Sequence, residues 1–444
     1  MIVNRIITKT RSLCPICLRD IPAWYERRGQ EIFFNKTCPD HGRFETLFWR
    51  DAAMFHTWLE QAVHALANNE LPAGKKGCPF DCGLCADHEG KSCTAVLEIT
   101  YRCNLRCAVC FADTEKASFD PSLERIEAMY RTARKYGGVC SIQLSGGEPT
   151  LRKDLPEVIR LGKQMGFPHI QVNTNGLRLA EDPEYAAVLA EAGADLVYLQ
   201  FDGVSDAIYQ KIRGRTLLAE KCAAIEHCGR VNLGVLLVPT VVPGLNLDSL
   251  GDIIRFAKER MPVVKGVHFQ PVSYFGRFPG NIPRDEERCS LCDVIHGLEA
   301  QTNGEIRAAH LVPRKRYSPH CSFSGLYYLP PDGPLQSITR AERNALLSET
   351  TDFPQKANAF TNNYWRMRAP QEDAGGQGLM REFRARLATH TLTVSGMDFQ
   401  DVWNIDTARL RGCCVSVISA DCKAIPLCAF HLTGISGERL YRNA

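Results

Sequence analysis

Twenty cysteines in 444 residues constrain this chain more than any other feature. Ten of them fall within the first 110 residues, at Cys14, Cys17, Cys38, Cys78, Cys82, Cys85, Cys93, Cys103, Cys107 and Cys110. Scattered core thiols do not bunch in this way. The N-terminal Met1-Ile2-Val3-Asn4-Arg5 lacks the apolar stretch of a secretory signal, so the expected location is cytoplasmic. There, thiol pools reduce disulfides, and clustered thiolates hold metal instead.

Composition narrows the classes further. With 45% hydrophobic and 23% charged residues the chain is not disordered, and a net charge of +3 gives no single-sign field for nucleic acid or an anionic membrane. The basic runs Arg314-Lys315-Arg316 and Arg381 to Arg386 are short and read as a solvated face. The longest largely apolar run, Gly234 to Leu245, spans 12 residues with two prolines, too short to cross a bilayer.

Periodicity divides the chain into four parts. Residues 1–60 read as short strands and turns around Cys14-Pro-Ile-Cys17 and Cys38-Pro-Asp-His41, a small metal-stapled module. Residues 61–94 hold the end of a helix expected over Asp51 to Asn69, with Phe55, Leu59, Val63 and Leu66 on one face, and then a cysteine-bearing segment. Over 95–278, apolar runs at Val96–Ile99, Val139–Leu144, Ile170–Asn173, Leu196–Phe201, Leu233–Val238 and Val267–Phe269 alternate with amphipathic stretches. Six strand-plus-helix units in series predict an α/β parallel sheet, open or closed into a barrel. Residues 279–444 form a C-terminal region with a further group of cysteines and a polar, helical-looking stretch from Arg340 to Arg386, broken at Gly375 to Gly378.

The first strand of the repeating region runs into Cys103-Asn-Leu-Arg-Cys107-Ala-Val-Cys110-Phe111. Three thiolates from one loop can bind three irons of a four-iron cluster and leave the fourth open to a chelating ligand. Cys140, 30 residues on and read as lying inside a strand, is a poor fourth ligand. The second strand runs into Ser145-Gly146-Gly147-Glu148-Pro149-Thr150, where glycines let backbone approach a ligand and Glu148 offers a carboxylate to a cation. Both motifs end neighbouring strands on one sheet edge, where such folds place their active sites. Asn173, Thr174, Asn175, Gln200, Asp202 and Gln270 end further strands there, or cap the helices that follow.

At these residues the sequence resembles the radical S-adenosylmethionine (SAM) superfamily, over about Ala95 to Gln270. The resemblance implies a partial (β/α)6 barrel in which Cys103, Cys107 and Cys110 hold a [4Fe–4S] cluster and SAM chelates the unique iron. It implies that Gly146, Gly147, Glu148 and Pro149 receive the methionyl ammonium, and that some of Asn173, Asn175 and Asp202 touch SAM or substrate. Reductive cleavage of SAM would give a 5′-deoxyadenosyl radical that abstracts hydrogen from substrate, with a reductant such as flavodoxin or ferredoxin and sensitivity to oxygen. The family often has an aromatic just before the third cysteine; this chain has Val109 there and Phe111 after it.

Three other cysteine groups are candidate metal sites. Cys14, Cys17, Cys38 and His41 form a rubredoxin or zinc-ribbon pattern, whose spacing suits zinc and a single iron equally. Cys78, Cys82, Cys85 and Cys93 are enough to saturate a second four-iron cluster or a zinc. Cys413, Cys414 and Cys428 with Cys321 are read either as a third, closed cluster or as a site where Cys413-Cys414 acts as a dithiol. The count is therefore one or two auxiliary clusters and one mononuclear site.

Across nearly its whole length the arrangement is similar to the branch containing the pterin methylases of methanogens and the archaeal tetraether lipid synthase. That branch tends to have two cysteines around Arg316 to Ser322, where this chain has only Cys321, while Cys289 and Cys292 are extra. The expected activity is methylation, or C–C or C–S bond formation, on a small molecule or lipid, with peptide maturation as the alternative. A non-catalytic zinc-ribbon scaffold is the rival from another class, and it predicts a colourless, zinc-only protein.

Overall fold

The structure, a computed structural model, describes residues 5–61, 76–83, 85–89, 91–113, 120–278, 283–314, 318–339, 359–361, 363–367 and 378–441. The N-terminal module is an antiparallel meander of β1 (Arg5–Leu13), β2 (Asp20–Arg28), β3 (Glu31–Cys38) and β4 (Gly42–Trp49). Its strands alternate as half-buried strands must, with Ile21, Ala23 and Tyr25 of β2 and Ile32 and Phe34 of β3 turned inward. Tyr25, Phe34, Phe48 and Phe55 pack with ring centroids 4.9 to 6.0 Å apart. Helix α1 (Ala52–Glu60) is capped by Asp51, whose side chain accepts from Met54 N, and it buries Phe55 and Trp58. The remainder of the helix expected to Asn69 lies outside the described residues, as does most of Arg340 to Arg386, of which Leu379–Thr389 is helical.

The apolar runs beyond Cys93 form a parallel sheet. Strands β5 (Thr94–Thr100), β6 (Ser141–Gly146), β7 (Ile170–Thr174), β8 (Leu196–Gln200) and β9 (Gly234–Val238) lie side by side, and past the short β10 (Thr240–Val241) comes β11 (Val264–Pro271), parallel to β9. Buried on both faces, these strands read as unbroken apolar runs; Gly234–Val238 is buried throughout. Between them run α2 (Leu123–Gly137), α3 (Leu155–Gln164), α4 (Leu177–Glu181), α5 (Tyr185–Ala192), α6 (Asp206–Arg213), α7 (Leu218–Arg230) and α8 (Leu250–Glu259). In α2 the buried Ile126, Met129, Tyr130 and Ala133 follow the helical period, with Ser122 as N-cap. This is the partial (β/α)6 barrel. Among the described residues β5 and β11 do not pair with each other.

The edges are covered by later segments that sequence periodicity did not reveal. β13 (Ser322–Tyr328) is flanked by β12 (Val312–Pro313) and β14 (Gln336–Ser337) and pairs with β15 (Thr391–Met397), which lies parallel to β11. At the other edge β16 (Val415–Ile418) runs parallel to β5 and pairs with β17 (Ala424–Pro426). Cys140 is corrected: it precedes β6 rather than lying within it, and its buried side chain packs in the core. No described helix is long and apolar enough to cross a membrane.

Candidate active site and metal centres

The C-terminal ends of β5, β6 and β7 come together because their loops are laced to one another. Gly147 N donates to Thr100 O and Glu148 N to Arg102 O, both at 2.8 Å, so the glycine loop lies directly against the start of the triplet loop. That approach requires glycine. A Cβ on Gly146 would sit 2.2 Å from the Thr100 carbonyl oxygen, and its φ of +119° disfavours any side chain. A Cβ on Gly147 would sit 2.2 Å from the Arg102 carbonyl oxygen and 3.0 Å from the Tyr101 carbonyl carbon. Gly147→Ala is expected to cost about 1–3 kcal/mol through forced backbone movement and to weaken SAM binding. Thermal unfolding and equilibrium dialysis with SAM measure the two effects.

Cys103, Cys107 and Cys110 line a cavity of about 210 Å³ together with Gly146, Gly147 and Glu148. Cys110 is pinned by paired backbone hydrogen bonds to Arg277, and Ala108 N donates to Ile212 O. Burial, and then the neighbouring Cys107, push the Cys110 thiol up, so metal loading must displace its proton. Glu148 is buried. Its Oε1 accepts from Thr150 N, Thr150 Oγ1 and Thr174 Oγ1, while Oε2 accepts only from Asn175 N. Oε1 is thus saturated, and Oε2 keeps a lone pair for a cation. Asn175 Nδ2 donates to Asn104 Oδ1 at 2.7 Å, fixing the triplet loop to the end of β7.

Asn173, Thr174, Asn175, Gln200 and Gln270 line the same cavity, but Asp202 does not. Its carboxylate is fully buried in a bidentate pair with Arg213 (Nε to Oδ2 2.7 Å, Nη2 to Oδ1 2.8 Å), and Arg213 is the residue that faces the cavity. Arg213 also donates to Thr240 Oγ1 and hydrogen-bonds the Cys107 thiol. Asp202 therefore acts on the site through Arg213. Asp202→Ala would strand a buried guanidinium and is expected to lower stability by about 3–5 kcal/mol, measured by denaturant unfolding. Beside it, fully buried Lys221 donates to Asn175 O and to Gln200 Oε1, and burial pulls its ammonium down to about 8. Sequence reasoning missed Arg213 and Lys221: each sits on a helix whose docking onto the sheet, not its local pattern, aims the side chain inward.

The metal groups divide unequally. Cys14, Cys17, Cys38 and His41 place all four ligand atoms within 4.8 Å of one another. A tetrahedral zinc with bonds of about 2.3 Å needs ligand atoms roughly 3.8 Å apart, and Cys17 Sγ lies 3.9 Å from Cys38 Sγ. The site fits a single ion. The other two groups are arranged differently from their sequence spacing. Cys93 does not join Cys78, Cys82 and Cys85 in their small cavity; its Sγ lies 2.9 Å from Cys414 Sγ. Cys414 in turn leaves Cys321, Cys413 and Cys428, which line a cavity of about 20 Å³ with Asp398 and Arg409. Successive residues of an extended segment point to opposite sides, so adjacent Cys413 and Cys414 serve different neighbourhoods. Burial pushes Asp398 up to about 7, and Arg409 donates to Cys321 Sγ through Nε and Nη2. Cys292 Sγ instead accepts from Arg50 N and packs with Cys289 in the core.

Comparison with known proteins bears on the whole arrangement. Residues 97–257, which include the triplet and the glycine loop, match the model of the Radical SAM superfamily, and residues 6–50 match that of the HMPTM N-terminal zinc ribbon domain. The 7,8-dihydro-6-hydroxymethylpterin dimethyltransferase of Methanocaldococcus jannaschii is 34% identical over 472 residues, covering 95% of this chain and 93% of that protein. The chain belongs to the radical SAM superfamily. A relative of narrower reach is the probable GTP 3′,8-cyclase of Sulfolobus acidocaldarius, 30% identical over 162 residues, or 36% of this chain and 50% of that protein. Among solved structures, Streptococcus suis SuiB bound to the precursor peptide SuiA overlays with a TM-score of 0.41 and 14% identity, over 49% of this chain and 46% of that one. The radical SAM chain described here is an enzyme, with a zinc ribbon at its N-terminus.

Proposed function

We propose that this radical SAM enzyme methylates a small, flat, hydrogen-bonding heterocycle of the pterin class. The observation that carries the reading is that two cavities share a wall. The cavity of the cysteine triplet and a second one of about 150 Å³ are both lined by Gln143, Tyr198, Gln270 and Phe399. A substrate in the second cavity therefore lies next to whatever occupies the first.

The donor set of the first cavity fits its cofactors. Three thiols can hold three corners of a [4Fe–4S] cluster, and no fourth cysteine lines that cavity. With its N–H already bonded to Thr100, Gly147 leaves its carbonyl, together with Glu148 Oε2, as an acceptor for the methionyl ammonium. Bound there, cluster and SAM supply reductive cleavage of the sulfonium bond and an oxidant able to take hydrogen from an unactivated carbon. The chain's own part is placement. Asn104, held by Asn175, and Val109, held by Arg213, keep the triplet loop rigid, and the apolar flank of Val272, Phe275 and Leu427 excludes water.

The second cavity has the surface a pterin requires. Carboxamides of Gln143, Gln171 and Gln270 each present a donor and an acceptor, matching a ring edge that alternates the two. Tyr198, Phe360 and Trp365 offer faces for stacking. The M. jannaschii relative is named for dimethylation of 7,8-dihydro-6-hydroxymethylpterin, and the same substrate class suits this chain. Zinc is the metal assigned to Cys14, Cys17, Cys38 and His41, and Cys321, Cys413 and Cys428 are the ligands of a C-terminal auxiliary site.

The test is anaerobic incubation of reconstituted, reduced enzyme with 7,8-dihydro-6-hydroxymethylpterin, SAM as the radical source, and a one-carbon donor that surrenders the methyl group, supplied in parallel as a second equivalent of SAM and as a methylene-bearing reduced folate. Methylated pterin together with 5′-deoxyadenosine is the expected result. Formation of 5′-deoxyadenosine with the pterin unchanged would overturn the substrate assignment. Gln171→Leu, which lies in the second cavity and not the first, is expected to raise KM for the pterin by roughly tenfold, about 1.4 kcal/mol, with SAM affinity unaltered.

A further inference from the structure

Outside the main site, three thiols line a small cavity that holds no fourth sulfur. Cys78, Cys82 and Cys85 border about 10 Å³ of space, and its remaining walls are Asp87, His88, Arg411 and Pro426. Cys93, which spacing nominates as the fourth thiolate, lies against Cys414 and lines the pterin-sized cavity instead. The group that joins the trio is His88. It is 4% exposed, and its Nε2 is buried without a hydrogen-bond partner. Leaving such a nitrogen unmet is costly, and a ligand in the cavity would remove that cost.

Local geometry prepares the ring for coordination. His88 N donates to Cys85 O at 2.9 Å, closing a turn that returns the imidazole to the cysteines. The ring is also within hydrogen-bonding reach of the Cys413 backbone. A carbonyl in that position holds the proton on one nitrogen of a metal-bound histidine and leaves the other to coordinate. Arg411 adds a second unmet group: it hydrogen-bonds Cys78, and its buried Nε has no partner.

Spacing decides between one ion and several. Among the described residues, only the Cys14 group gathers three or more ligand atoms within 4.8 Å, the spread a single tetrahedral ion requires. Cys78, Cys82, Cys85 and His88 do not gather three ligand atoms within that spread, although the Cys78 and Cys82 thiols hydrogen-bond each other, so a single tetrahedral ion is not prepared there. We propose that Cys78, Cys82, Cys85 and His88 hold an auxiliary [4Fe–4S] cluster with an imidazole in place of the fourth thiolate. A neutral ligand removes one negative charge, and Arg411 offsets another and donates to sulfur. Both raise the reduction potential, so this centre is suited to receiving electrons rather than driving the low-potential cleavage of SAM.

The test uses the full chain, reconstituted anaerobically with iron and sulfide, in a Cys103→Ala/Cys107→Ala/Cys110→Ala background that lacks the SAM-binding cluster. Protein labelled with 14N- or 15N-histidine is reduced and studied by pulsed electron paramagnetic resonance. The expected result is a directly bonded histidine nitrogen coupling that changes with the label. His88→Cys should abolish that coupling, keep the iron content and lower the potential, while Cys93→Ala should leave coupling and iron unchanged. The proposal is overturned by an absent histidine coupling, by a coupling that survives His88→Cys, by loss of the cluster in Cys93→Ala, or by zinc rather than iron at the site. None of these outcomes bears on the pterin reading, which is scored by methylated product from the unaltered enzyme.

Discussion

Cys107→Ala is expected to abolish 5′-deoxyadenosine formation, with a loss on the order of 10⁴-fold or more, as befits a group on which a step wholly depends. Cys107 lies between its two loop partners and is the thiol that Arg213 hydrogen-bonds. With alanine there, two thiols remain and a four-iron cluster loses a corner. The fold should survive, because the loop is still anchored by Cys110 to Arg277 and by Asn104 to Asn175. Iron analysis should show a deficit confined to one cluster, with an unchanged melting temperature. Asp202→Ala makes the complementary case: stability falls first, and SAM cleavage falls with it because Arg213 no longer holds the loop.

Metal removal from the N-terminal module is expected to have the largest effect on stability. Structural zinc in small modules contributes apparent free energies of about 10–16 kcal/mol, more than the packing of Tyr25, Phe34, Phe48 and Trp49 on the neighbouring core is expected to offset. Cys38→Ser, or treatment with a strong chelator, should therefore unfold residues 5–49 in a separate early transition visible by calorimetry. The consequences reach further than the module. Lys36 Nζ donates to Leu13 O and Val402 O, Ser12 Oγ to Ile405 O, and Tyr25 OH to Asp406 Oδ2, so the meander clamps the segment leading to Arg409 and the Cys321 site. Loss of the first metal is expected to loosen the second. An unchanged melting curve after verified removal of the ion would contradict this.

Much of the fold is legible in the sequence because parallel strands buried on both faces need continuous apolar runs, and Val96–Ile99, Ile170–Asn173 and Leu233–Val238 supply them. The C-terminal strands are less visible. Ser322–Tyr328 and Thr391–Met397 pair antiparallel with each other at the sheet edge, outside the run of strand-plus-helix units, so nothing local marks them as members of the parallel sheet. The cysteine triplet and the glycine loop can be read from spacing because each is a single loop. Cys93, Cys413 and Cys414 cannot, since which way a thiol turns depends on β16 pairing with β5. For the same reason His88 stays hidden among turn residues until the chain folds and sets its ring beside three thiols.

The central claim is that one iron, held at a corner without a protein ligand, faces the cavity shared by the triplet and the glycine loop. The most direct measurement is the electron paramagnetic resonance spectrum of the reduced, reconstituted enzyme before and after SAM is added. The account predicts that SAM shifts the signal of one cluster, that methionine labelled at its amino nitrogen within SAM shows coupling to that cluster, and that both effects vanish in Cys107→Ala. A fully iron-loaded enzyme whose spectrum is indifferent to SAM would contradict it.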